Sequence, residues 1–288
     1  CGALGRRAHA VTAQWFVQTK MTKPIVYVDL DGTLSPSDVL LESCLLLLKQ
    51  NIFYVFPMLL WAIRGAWVFK TEVAKRIDPV LDHLPIDPMV LERLNQLKAA
   101  GHELVLASAS MRRDVLKIAA RLGLFARVIA SEHSNLKGQQ KLAAIEADSH
   151  GQPFVYFGDA LVDIPIWKKA ALAFGVNTSS GTRRKAMAAG IELNRLDTRS
   201  TGIKVWLKAM RLQQWAKNGL LFLPLIAAHE TDFALWGKMM WGFLAFGFLA
   251  SSTYIWNDLM DLNADRQHPR KRHRPMASGA LSIGKAFL

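Results

Sequence analysis

The chain has 288 residues, 51% of them hydrophobic, and its mean hydropathy of +0.14 is high for a wholly soluble protein of one or two domains. Lys and Arg number 36 against 23 for Asp and Glu, a formal charge of +13 that suits anionic partners such as a membrane surface, a phosphorylated substrate or nucleic acid. Two cysteines, Cys1 and Cys44, exclude a disulfide framework and a structural zinc site and fit a reducing compartment.

Residues 1–20 carry neither the apolar core nor the cleavage site of a signal peptide and are expected to be a poorly structured, disordered leader. Met21 is the expected start of the fold. Leu288 closes the chain inside what reads as the opening of a helix, so a fragment at both ends is expected. Ile25 to Val28 is short, β-branched and unalternating, as expected of a parallel strand covered on both faces. It runs into Asp29-Leu30-Asp31-Gly32-Thr33, where Gly32 permits a sharp turn, and carboxylates at the end of such a strand mark a ligand crevice.

Helical periodicity follows over Val39–Lys49, Ile52–Phe69 and Thr71–Leu81. Ile52–Ile63 is strongly apolar, but Pro57, Arg64 and Gly65 interrupt the stretch short of the ~20 residues a membrane span needs. It reads as a buried helix of a cap, with a face resting on the bilayer as the alternative. From His102 strands and helices alternate: strand Glu103–Ala107, helix Met111–Leu122, strand Arg127–Ala130, helix Lys141–Ala147, strand Phe154–Phe157, helix Asp163–Ala170 and strand Ala171–Val176. This predicts a doubly wound parallel sheet of the α/β class.

Four motifs occur in order across residues 25–190: DLDGT at Asp29–Thr33, Ser108 at the end of LVLASAS, Lys137 in NLKG, and Gly158-Asp159 with Asp163. Together they resemble the haloacid dehalogenase-like phosphatase superfamily. The resemblance implies a Rossmann-like sheet with a helical cap, Asp29 as the nucleophile that forms an aspartyl-phosphate, and Asp31 as general acid and base. It further implies that Ser108 hydrogen-bonds the phosphoryl oxygens and that Lys137 neutralises charge and orients Asp29. Mg2+ is the implied cofactor, held by Asp29, the carbonyl of Asp31 and Asp159 with Asp163 in support. Ser110 competes with Ser108, and Lys141 with Lys137; spacing to the acidic motif favours Lys137. The helical insertion resembles the cap of the phosphoserine-phosphatase-like branch and names no substrate.

This domain is expected over residues 21–195, with its cap at about 36–100, and a linker with an amphipathic lead-in over 196–210. Basic residues then lead into the apolar stretch Gly219–Ala228, and after a polar turn Phe233–Trp256 is long enough to span a membrane. The first stretch becomes a span only by borrowing residues from about Leu212. Beyond Trp256, Asn257, Asp258, Asp261 and Asp265 recur at helical spacing ahead of a basic burst, and carboxylates on one helical face are costly without a cation. Positive charge on both flanks of the hairpin and an acidic turn predict a multi-pass protein of the cell (inner) membrane with its N-terminal domain cytoplasmic.

NDxxDxxxD at Asn257–Asp265 and RPxxSG at Arg274–Gly279 resemble the UbiA superfamily of membrane prenyltransferases. Arg211-Leu212-Gln213-Gln214-Trp215-Ala216-Lys217-Asn218 is similar to the RPxQWxKN element of the decaprenyl-phosphate phosphoribosyltransferase branch, with Leu212 in place of the proline. Residues 211–288 then form the start of an incomplete all-α transferase domain. The resemblance implies that Asp258, Asp261 and Asp265 hold Mg2+ and a diphosphate. Arg211, Lys217, Asn218, Asn257, Lys271, Arg272 and Arg274 are the implied substrate-binding residues. The implied function is a bifunctional membrane enzyme, a phosphatase fused to a transferase that moves phosphoribose from phosphoribosyl diphosphate to a polyprenyl phosphate. Alternatives are polyprenyl transfer from a prenyl diphosphate to an aromatic quinone precursor, and an N-terminal domain that binds a phosphorylated small molecule or lipid without turning it over. No nucleic acid partner is expected.

Overall fold

Ile25–Val28 (β1) lies at the centre of a six-stranded, wholly parallel sheet. The computed structural model describes residues 23–199 and 202–287, so the leader expected at residues 1–20 and the start at Met21 fall outside the described residues. In chain order the first unit continues with helices Val39–Gln50 (α1), Val55–Ile63 (α2), Ala66–Arg76 (α3) and Pro88–Ala99 (α4). Then come Leu104–Met111 (β2), Arg112–Leu122 (α5), Arg127–Ser131 (β3), Gln139–Ser149 (α6) and Phe154–Gly158 (β4). Ile164–Lys169 (α7), Leu172–Val176 (β5), Ser180–Ala188 (α8) and Leu193–Leu196 (β6) complete it.

The strand order is β3-β2-β1-β4-β5-β6, so the chain leaves β1 first to one side and then to the other. The reversal falls between β1 and β4, and ligands of such sheets bind outside the C-terminal ends of the strands at that point. Strand pleating sends alternate residues to opposite cores. Val26 and Val28 pack with Leu104, Leu106, Val155 and Phe157 on one face, while Tyr27 packs with Val105, Phe154 and Tyr156 on the other. Both faces are therefore apolar, which explains the unalternating run of β1.

The cap is smaller than the sequence suggests. Helix α4 places Val90, Leu94 and Leu97 in the same cluster as β1 and β2, so it is a core helix and the expected cap limit of residue 100 moves back before Pro88. Asp87 caps α4 through the backbone N–H groups of Met89 and Val90, and Pro88 opens its first turn. The cap proper is α1 to α3, held by Cys44, Leu47, Trp61, Val73 and Ile77. Gly65, at φ 114°, breaks the expected helix Ile52–Phe69 into α2 and α3. Helix α2 is not buried as predicted: among its own residues only Trp61 is buried, while Ile63 is 83% exposed. The short edge strand β6 was not predicted, because Leu193-Asn194-Arg195-Leu196 has no apolar run.

The second unit, residues 202–287, contains Ile203–Ala209 (α9), Leu223–Ala227 (α10), Phe233–Met260 (α11), Leu262–Gln267 (α12) and Ile283–Ala286 (α13). At 28 residues and about 1.5 Å each, α11 is about 42 Å long, and among the described residues it is the one helix long and apolar enough to cross a membrane. The earlier apolar stretch does not form a second such helix: Leu212–Phe222 is a 3-10 run, and α10 after it is only 5 residues long.

Candidate active site

The tips of β1, β2 and β4 converge on one polar cluster. Past β1 the chain turns tightly, with the Leu34 N–H on the Asp29 carbonyl at 3.2 Å and the Gly32 N–H on the Ser35 carbonyl at 2.8 Å. Gly32 has φ 87°, and a Cβ there would lie 2.2 Å from an Asp159 carboxylate oxygen. The glycine thus serves both the turn and the approach of Asp159.

Asp29 is buried, and its Oδ1 accepts from the Leu30 N–H at 2.9 Å and from Lys141 Nζ at 2.9 Å. Asp31 Oδ1 accepts from the Val39 N–H at the start of α1 at 2.9 Å, and its Oδ2 accepts from the hydroxyls of Ser110 at 2.6 Å and Ser108 at 3.3 Å. Both serines therefore reach the site. Ser108 Oγ also accepts the Ser110 N–H at 3.0 Å, which fixes the strand tip. After β4, Asp163 is held by the Asp159 and Ala160 N–H groups at 3.2 and 3.1 Å and by the Tyr156 hydroxyl at 2.8 Å.

The lysine differs from the expected one. Lys137 is exposed, ahead of Gly138 and outside α6, whereas Lys141 is buried in the first turn of that helix. Lys141, Leu142, Ile145 and Ser149 form the inward face of α6. This carries the ammonium to Asp29, and it also lies 3.8 Å from Asp163 and 3.2 Å from the Tyr156 hydroxyl. Burial works against the Lys141 cation, but the Asp29 and Asp163 carboxylates outweigh it and raise its pKa. The signal in the sequence was phase: a lysine in register with Leu142 and Ile145.

Burial raises Asp29 to about 6, with Lys141 opposing and Asp163 adding to the rise, and raises Asp31 to about 7, with the charge of Asp38 adding. Asp159 is pushed well above the usual carboxylate range by burial and by the neighbouring Asp29 and Asp163. Asp29, Asp159 and Asp163 each offer a carboxylate oxygen within 4.8 Å of the others. Three carboxylates so close together, two of them buried, with the Lys141 ammonium against Asp29 and the Arg199 guanidinium acting on Asp159, fit a divalent cation with oxygen ligands.

Two residues outside the motifs also reach this site. Lys70 of α3 donates to the Ala109 carbonyl and Asn135 Oδ1, both at 2.7 Å, beside the tip of β2. Arg199 donates through Nη2 to the Gly32 carbonyl at 3.1 Å and pairs through Nε with buried Asp87 at 3.2 Å. These contacts place residues 197–199, expected to lie in a linker, in the first unit.

The second unit has its own charged cluster. Asp258 Oδ1 accepts from Arg211 at 2.5 Å and Arg274 at 3.0 Å, and Arg274 also donates to Asp265 Oδ2 at 2.7 Å. Lys271 stands 3.8 Å from Asp265. Trp215 donates to Ser251 at 3.0 Å and lies against Gly247, where a Cβ would be 2.7 Å from its ring. The three carboxylates expected on one face are not alike: Asp258 and Asp265 are buried, while Asp261, the single residue between α11 and α12, is exposed. Arginines take the place of a shared ligand set. Asn257, Lys217 and Arg272 are exposed and Asn218 is half-buried, so the structure does not gather them with Arg211, Arg274, Asp258 and Asp265.

The sheet order and strand-tip carboxylates define the first unit as a haloacid dehalogenase-like hydrolase domain, and residues 26–168 match the model of that family. Residues 220–288 match the UbiA prenyltransferase family. The chain therefore carries a haloacid dehalogenase-like domain followed by a UbiA domain. The uncharacterized protein y4nM of Sinorhizobium fredii is 37% identical over 267 residues, 90% of this chain and 51% of y4nM. Decaprenyl-phosphate phosphoribosyltransferase of Corynebacterium glutamicum is 43% identical over 84 residues, 28% of this chain and 25% of that protein. The chain thus spans about half the length of the first relative and a quarter of the second. A protein of unknown function from Bordetella pertussis Tohama I has a solved structure with a TM-score of 0.45 at 16% identity, covering 62% of this chain and 100% of that one.

Proposed function

We propose that the first unit is a Mg2+-dependent phosphatase acting through an aspartyl-phosphate, and that the second belongs to a membrane transferase that moves phosphoribose onto a polyprenyl phosphate. The convergence of Asp29, Asp31, Asp159 and Lys141 at the strand tips carries the first part of this reading. An Asp29 carboxylate oxygen attacks phosphorus, the ester P–O bond breaks, and the Asp31 carboxyl gives its proton to the leaving oxygen. The Asp31 carboxylate then takes a proton from water, whose oxygen attacks phosphorus and releases phosphate and Asp29. A pKa of about 7 leaves Asp31 protonated in part at neutral pH, as an acid needs. Ser108 and Ser110 hold Asp31 and stand ready to hydrogen-bond phosphoryl oxygens, while Lys141 holds Asp29. Asp29, Asp159, Asp163 and the carbonyl of Asp31 would hold Mg2+, which supplies charge neutralisation at the phosphoryl group.

The pKa shifts give this metal reading a pH signature. A carboxyl whose folded pKa lies above its unfolded value favours folding fully below the unfolded value and loses that contribution as pH rises through the folded one. For Asp29 and Asp31 the loss runs from about pH 4 to pH 7, and a bound cation reverses it. Thermal denaturation is expected to show a larger Mg2+-induced rise in Tm at pH 8 than at pH 5. Asp159→Asn is expected to remove most of that rise.

For the transferase, the similarity to decaprenyl-phosphate phosphoribosyltransferase and the cluster of Arg211, Arg274, Asp258 and Asp265 support phosphoribosyl diphosphate as donor. The product would carry a 5-phosphate that the tethered phosphatase removes, on the cytoplasmic side of the inner membrane. Membranes containing the whole protein, given labelled phosphoribosyl diphosphate and polyprenyl phosphate, are expected to form a labelled lipid. Asp258→Asn should abolish the label, and Asp29→Asn should leave the lipid phosphorylated. Transfer of a prenyl group to an aromatic acceptor, with no phosphoribosyl lipid, would contradict this reading.

A further inference from the structure

The cap presents an apolar surface for which the proposed chemistry has no use. Helix α2 spends one stripe, Met58 and Trp61, on the cap's own core, joined by Tyr54 from the 3-10 turn just before it. Around the rest of the hairpin Ile52, Phe53, Phe56, Leu59, Leu60 and Ile63 are exposed, Phe53 at 69% and Ile63 at 83%. Monomeric soluble domains rarely leave so contiguous an apolar patch uncovered. Its charge setting is one-sided: from Glu42 to Glu72 the sequence contains no acidic residue between them, while Lys49 and Arg64 are exposed at the two ends of the apolar run.

We propose that the cap hairpin docks on an anionic bilayer, with α2 lying in the interface plane. The 9 residues of α2 are far too short to cross a membrane, and a short helix with an apolar face flanked by cations suits the headgroup boundary instead. The same chain supplies the proximity, since α11 is long and apolar enough to span. A tether of this kind raises the effective concentration of the cap at the surface, so a modest patch suffices. Docking would orient the hydrolase unit and bring its cleft toward substrates held in the membrane.

The test uses the whole chain in nanodiscs, on a Cys1→Ser, Cys44→Ala background, with an NBD label on Phe56→Cys or, as control, on Met187→Cys of α8. In discs containing phosphatidylglycerol, the label at position 56 is expected to shift to the blue and to lose about half its emission to a spin label placed near the lipid headgroups. The label at position 187, a residue 72% exposed, should do neither. Lys49→Glu with Arg64→Glu, or discs of phosphatidylcholine alone, should weaken the signal at position 56. A label at position 56 that stays in water overturns the proposal. So does one that shifts to the blue without quenching by the spin-labelled lipid, which would mean that protein covers the patch.

Discussion

Asp29→Asn is expected to lower phosphate-ester hydrolysis by about 10^4-fold, about 5.4 kcal/mol of barrier, because among the described residues Asp29 is the carboxylate at the tip of β1 that Lys141 holds at 2.9 Å, while Asp163 is tied up by the Tyr156 hydroxyl and two backbone N–H groups. The substitution keeps size and shape, so the Leu30 N–H and the Lys141 ammonium still find an oxygen. The fold should therefore survive, and a Tm close to that of the parent would separate lost chemistry from lost structure. Steady-state assay of the whole chain with a generic aryl phosphate and Mg2+ checks the result. An activity within tenfold of the parent would mean that hydrolysis does not pass through this carboxylate.

The second large effect separates two lysines only four positions apart. Lys141→Met should cost about 10^2- to 10^3-fold in hydrolysis, the range for removing a preorganised electrostatic group. It should also lower the Tm without divalent cation, since Asp29 and Asp163 then lose the buried ammonium that pairs with them. Lys137→Met should stay within about twofold, as a change to an exposed side chain does. Assays of the two variants side by side, with Tm measured in and out of Mg2+, check both halves. Equal losses would remove the special role assigned to Lys141.

That pair also illustrates what could be read in advance. Asp29, Asp31 and Asp159 follow the ends of strands, and a buried parallel strand writes itself as an apolar run, so the carboxylates beyond it were legible. Lys141 was not chosen because linear spacing to Asp159 says nothing of which face of α6 meets the sheet; burial in phase with Leu142 and Ile145 decides that. Arg199 lay further out of reach, because its contacts with Gly32 and Asp87 join segments more than a hundred residues apart. Helix α2 exposes a general ambiguity: an apolar helix reads alike whether protein covers it or not. In the second unit, periodicity put Asp258, Asp261 and Asp265 on one face of a continuous helix, whereas Asp261 sits between α11 and α12 and is exposed while the other two are buried. Asp258 and Asp265 instead meet through Arg274, a contact that depends on how the chain returns after α12.

An aspartyl-phosphate on Asp29 can be trapped directly. The whole chain, mixed with a phosphate ester and Mg2+ and quenched in acid within the first turnover, is to be digested and its peptides weighed after borohydride reduction, which marks an acyl-phosphate at the residue that bore it. The account predicts the mark on Asp29, absent from Asp31 and absent when the ester is omitted. A mark on another residue, or turnover with no trapped intermediate and none at Asp29 under any quench time, would contradict it.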